Sequence, residues 1–281
     1  MKRWLSGLLC LVLSGVALAA GPAAVRKRVQ ASMRVNGTIE VAPDGSVKQY
    51  ALDQPEKLPD AVKELLTKSI PAWRFKPVEL DGKPVTAKAA MNLRVVASPL
   101  DGDKYNLGVA GAWFGDQGGA TTQTISYKSQ KRPGYPMVAA HNRVSGTVYV
   151  LLKVGRDGKV ADAEAEQVDL RVIASDSELE LWRQALRAAA LSALKQDTFN
   201  LPTAGPEVNN PYWIARIPVT FQMNGAQPTE YGQWQAYVPG PVHEPEWAGK
   251  HKLAGSPDAI PEGGALLADQ ALHLLTSLGG T

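Results

Sequence analysis

The strongest constraint in this sequence is a pattern that occurs twice. A strand, an Asp-Gly turn, a second strand, a helix and a third strand follow one another from about Val25 to Ala97, and again from about Arg132 to Met223. In the first stretch Met33, Val35, Ile39 and Val41 share one alternating face. In the second, Val148, Val150, Leu152 and Val154 do the same. Period-two alternation rich in β-branched residues marks a half-buried strand. Each strand runs into an Asp-Gly pair, Asp44-Gly45 and Asp157-Gly158, and glycine readily supplies the positive φ of a tight turn. The fold class read from this is α+β: two small β-β-α-β units, each a three-stranded antiparallel sheet with a helix on one face.

The helices follow from spacing. Val62, Leu65, Leu66 and Ile70 make one apolar stripe, which Pro71 ends. Leu179, Trp182, Leu186 and Ala190 make the other, and Ser175 with Glu178 three residues later forms a capping box. Trp182 at that spacing reads as core. The strand from Val160 to Glu166 alternates small apolar residues with acids, which reads as a solvated face whose like charges discourage aggregation.

The two units leave three other stretches. Residues 1–20 carry Lys2 and Arg3, then an apolar run of 16 residues from Leu5 to Ala20 ending in small residues. That is the layout of a secretory signal, and the run is shorter than a bilayer span of about 20 residues. An uncleaved anchor is the alternative. Cys10, the one cysteine, lies in this run, and Gly7-Leu8-Leu9 before it does not make a lipoprotein site. Without Lys2 and Arg3 the chain holds 28 basic and 27 acidic residues, a net of +1, too weak a charge to argue for nucleic acid or steering to anions. Residues 98–131 read as a linker, with loop signals at Asp101-Gly102-Asp103 and from Gly115 to Gly119, and with Trp113-Phe114 packing on a unit. Residues 224–281 read as a Pro/Gly-rich tail, in which Leu266, Leu267, Ala271, Leu274 and Leu275 outline one short terminal helix.

The second unit, 132–223, resembles the TonB C-terminal domain family. The residues that carry this are Arg132-Pro133-Gly134-Tyr135-Pro136, the short helical stretch Met137 to Asn142, Gly146-Thr147-Val148, Asp157-Gly158-Lys159-Val160 and Ile217-Pro218-Val219-Thr220-Phe221. The first unit, 25–97, looks like a degenerate copy. It keeps Asp44-Gly45-Ser46-Val47, Trp73-Arg74-Phe75-Lys76-Pro77 and Gly82-Lys83-Pro84-Val85, and lacks the Tyr-Pro opening. The resemblance implies a periplasmic domain that grips an extended segment of an outer-membrane receptor by adding it as a strand. By match to the opening motif, Pro133, Tyr135 and Pro136 are the partner-binding candidates; Tyr135 packing against the sheet is the plainer reading. Members that transduce energy carry a histidine in an uncleaved membrane helix and a long Pro-rich spacer. This apolar run has no histidine and no such spacer follows it, which counts against direct coupling to the proton gradient.

Signals for chemistry are weak. His141, His243, His251 and His273 form no metal-ligand spacing, and the chain has no Gly-x-Ser-x-Gly elbow. No catalytic residue, metal or cofactor is expected. The expected partner is a protein of the cell envelope, an outer-membrane receptor in the family's manner, with a homodimer left open and membrane contact only if the N-terminal segment stays attached. The expected location is the periplasm, with inner-membrane anchoring as the alternative. Two non-enzymatic readings stand: a peptide-binding module, favoured by a long free strand edge, and a structural envelope protein, favoured by units that pack together or edges covered by linker and tail. A hydrolase would need a cleft gathering His141 with Ser and Asp.

Overall fold

A computed structural model describes residues 21–80, 82–100, 104–115, 125–223, 230–248, 266–267 and 272–278. The signal reading and Cys10, the Asp101-Gly102-Asp103 turn, Asp116 to Gly119, His251 and Ala271 lie outside the described residues.

The chain is α+β, built on two antiparallel sheets. It begins with the short helix α1 (Pro22–Arg26) and the long strand β1 (Gln30–Val41), which turns at Asp44-Gly45 into β2 (Val47–Leu52). Helix α2 (Asp60–Ser69) follows, then the hairpin β3 (Val78–Leu80) and β4 (Lys83–Val85), then β5 (Ala87–Pro99) and β6 (Tyr105–Gly115). The second unit runs β7 (Ser126–Ser129), α3 (Met137–His141), β8 (Gly146–Gly155), β9 (Val160–Leu170), α4 (Asp176–Leu194), β10 (Thr198–Asn200) and β11 (Tyr212–Phe221). The tail contributes β12 (Gln235–Tyr237) and β13 (Leu266–Leu267).

The two sheets share a plan. In the first, β1 lies between β2 and β5; in the second, β8 lies between β9 and β11. The turns also match. Gly45 has φ +81° and Gly158 φ +74°. The carboxylates of Asp44 and Asp157 accept from the N–H of Ser46 at 2.9 Å and of Lys159 at 3.0 Å. The glycine carbonyls accept from Phe75 at 2.8 Å and Phe199 at 2.7 Å. Each helix covers one face of its sheet: Val62 and Leu66, with Ile70 at the C-cap, share a buried cluster with Met33, Val35, Met91 and Leu93, while Leu179, Trp182, Leu186 and Ala190 share one with Val148, Val150, Ala215 and Ile217. The capping box of α4 forms as its sequence requires.

Three stretches depart from the sequence reading. Within 98–131, Tyr105–Gly115 is a strand paired to β5, and Phe114 enters the first core, edge-on to Phe75 at 4.9 Å. The tail gives extended segments, and its described residues hold no α-helix: Leu266 and Leu267 pair with β11, and Leu274 bridges Phe75. The acids of β9 are not all solvated. Glu166 is buried and holds Arg216 through two hydrogen bonds of 2.6 Å.

Candidate functional site

A module that binds extended peptides must offer unpaired backbone, so the sheet edges are where a site can exist. The outer edge of β9 is occupied along Glu166–Leu170. Leu170 and Val238 exchange hydrogen bonds of 3.2 and 2.8 Å, and the N–H of His243 donates to the Glu166 carbonyl at 2.8 Å. Arg183 of α4 fixes that tail segment by donating to the Pro239 carbonyl at 3.0 Å. On the far edge, β13 pairs with Ala215 and Arg216 only. The remaining half of β11, Ile217 to Phe221, has no outer strand among the described residues.

The opening motif lies beside this open half. Tyr135 is half-buried, its ring 5.6 Å from that of Phe221 at an interplanar angle of 86°, and its hydroxyl donates to the Val144 carbonyl. Burial raises the Tyr135 pKa, offset in part by a hydrogen bond with Ser145. Pro136 precedes α3, and its carbonyl accepts from Ala139 at 3.0 Å and Ala140 at 2.9 Å. Pro133 is half-buried and Met137 is exposed. Tyr135 therefore packs, as the plainer reading had it, with its ring against Phe221 at the end of β11.

The comparison with known families speaks to this same stretch. Residues 131–223 match the family model described as Gram-negative bacterial TonB protein C-terminal. The matched stretch begins just before the Pro133-to-Pro136 motif and ends just after β11, so it holds β8, β9, β11 and α4. A search of the curated proteins and one of the solved structures returned no match.

Away from its helix the second sheet is also buried, and the first sheet is buried where Arg94 and Val96 of β5 lie, which accords with the reading in which the units pack together. Arg94 of β5 projects from the first sheet toward Asp169 of β9, with 3.7 Å between charged atoms, and lies 4.7 Å above the Tyr237 ring. Asp169 also accepts from Gln167 at 2.8 Å and from the N–H of Gly240 at 3.1 Å. Burial pushes its carboxyl pKa up, and Arg94 pulls it back in part. A lone Arg in an alternating strand carried no sequence signal that a second sheet lay opposite. No group of three His, Cys, Asp or Glu able to hold a metal ion occurs among the described residues.

Proposed function

We propose that the protein is a periplasmic TonB-like protein-binding module that recognises extended segments of envelope or outer-membrane proteins by strand addition, without coupling of its own to the proton gradient. The observation that carries this is the half-open edge of β11 inside the stretch matching the TonB C-terminal family. Pro133, Tyr135 and Pro136 border that edge through the Tyr135–Phe221 contact. An incoming segment would pair along Ile217 to Phe221. The matching turns and strand order further support the first unit being a second, degenerate copy of the same domain.

Solubilised outer-membrane receptors passed over the immobilised exported chain test the reading. Pro218 has no N–H to give to the β8 ladder, so Thr220, two residues on, faces the same outer edge. Capture of a receptor that Thr220→Pro abolishes is the expected result. Capture that survives this change rules out strand addition at β11.

A second reading, a structural envelope element, has its own support. The units pack through Arg94 and Asp169, and the tail covers part of both edges of the second sheet.

A further inference from the structure

We propose that the outer edge of β6, with the cleft beside it between the two units, is a second peptide-binding site whose ligand is an extended, uncharged segment of another protein. The proposal rests on the reading that this chain binds extended segments, and it places a site outside residues 131–223.

The edge itself argues first. β6 pairs with β5 from Tyr105 to Gly115, and no strand occupies its other side among the described residues. Its open part, Tyr105–Ala110, extends over about 20 Å, whereas Gly111, Ala112, Phe114 and Gly115 are buried. Natural sheets protect an exposed edge of that length with charges, proline or a cover. Other edges here carry such features: Lys48 on β2, Asp162 and Glu164 with a tail segment on β9, Pro218 on β11. β6 has no charged residue and no proline.

The adjoining cleft argues what binds. It encloses about 460 Å³ on the side of β6 that shows Asn106, Gly108 and Ala110, with Ser98, Gln167 and Tyr237 among its walls. Among the described residues, no Asp, Glu, Lys, Arg or His lines it. A strand added beside β6 continues the sheet, so every second side chain of that strand projects over this cleft. A charged side chain there would lose its water and gain no counter-charge. Neutral polar side chains instead meet Ser98, Asn106 and Gln167, while Gly108 and Ala110 leave room for them.

Selection from a random heptapeptide library displayed on phage, against the exported chain, tests this. Selected peptides should be depleted of Asp, Glu, Lys and Arg at alternate positions, and should protect the amides of Tyr105–Ala110 from hydrogen exchange. Of two adjacent strand residues one N–H faces outward, so Leu107→Pro and Gly108→Pro together cover both cases. The variant that keeps the parent melting temperature should bind about tenfold more weakly or worse, the loss of roughly one main-chain hydrogen bond. Thr220→Pro should leave these peptides bound. Peptides lost only on Thr220→Pro would overturn the β6 site and keep strand addition. Peptides indifferent to every proline, or no selected peptide at all, would overturn both. Protection of β6 by self-association without peptide would make a second copy of the chain the occupant and overturn the proposal.

Discussion

At the scale of single residues, the two Asp-Gly turns and three buried charged residues control stability. A Cβ on Gly158 would lie 2.4 Å from the Phe199 carbonyl oxygen at φ +74°, and one on Gly45 would lie 2.1 Å from that of Phe75. The left-handed conformation costs an L-residue about 1–2 kcal/mol, and losing the Phe hydrogen bond adds about 1 kcal/mol. Gly158→Ala should therefore lower stability by about 2–3 kcal/mol, and Gly45→Ala by a similar amount, as read by urea unfolding. Glu166 and Arg216 are almost fully buried together. Removing one partner strands the other charge, so Arg216→Ala should cost about 3–5 kcal/mol, while replacing both by apolar residues should cost much less. Asp197 is buried, and burial lifts its carboxyl pKa above 3.8, offset in part by the N–H of Lys131 at 2.6 Å. The native carboxyl then holds its proton more tightly than the unfolded chain does. Its contribution to stability is full below the unfolded pKa and is lost as pH rises through the native value. Asp197→Asn keeps an acceptor for Lys131 and should flatten that part of the stability–pH curve. An unchanged slope in urea titrations between pH 4 and 7 would show that the group does not titrate in this way.

At the scale of elements, the tail behaves as a set of strands. Leu275 donates to the Arg74 carbonyl at 2.8 Å, Lys76 donates to that of His273 at 2.9 Å, and Leu272 and Leu274 sink into the first core. Leu274→Ala should lower stability by about 2–4 kcal/mol, a core penalty that a loosely attached tail would not show. The sequence around it contained both possibilities. Leu266, Leu267, Ala271, Leu274 and Leu275 approximate a helical stripe, while Leu272 and Leu274 alternate with exposed neighbours. An available backbone at Trp73 to Lys76 decided for extension, and nothing local to the tail encodes that. β6 was hidden for a different reason. Its apolar alternation through Leu107 and Val109 shifts phase across Ala110, where a register irregularity passes the inward face to Ala112 and Phe114, and three glycines in eleven residues imitate a loop. The three central strands and the helix of each unit were legible from their periodicity, whereas the short strands β7, inside the stretch read as linker, and β10 were not. Of the candidate site, the Pro133-to-Pro136 motif was legible, and the edges that are open or covered were not, because that depends on residues distant in sequence.

At the scale of the whole molecule, the ends of the chain cross between the units. Val25, from the N-terminal helix, lies in the second core, and Arg28 pairs with Asp176 of α4. Leu272 and Leu274, from the other end, lie in the first core, and β12 joins the first sheet before the tail reaches the edge of β9. Between the sheets, Arg94, Asp169, Gln167 and Tyr237 form one buried polar contact set. Neither unit can open without exposing apolar residues of the other or separating these charges. The chain should therefore unfold in a single calorimetric transition, although it carries two cores. Arg94→Ala leaves the Asp169 carboxylate with the Gln167 amide and the Gly240 N–H but no cation from the first unit. That change should cost about 3–5 kcal/mol and lower the melting of both units together. Hydrogen exchange separates this outcome from simple local damage. If the units are coupled, amides of β8 and α4 lose protection in step with those of β1 and β5 when Arg94 is replaced. If only the first unit responds, or the parent chain melts in two steps, the units are independent modules and their contact is not what holds the fold together.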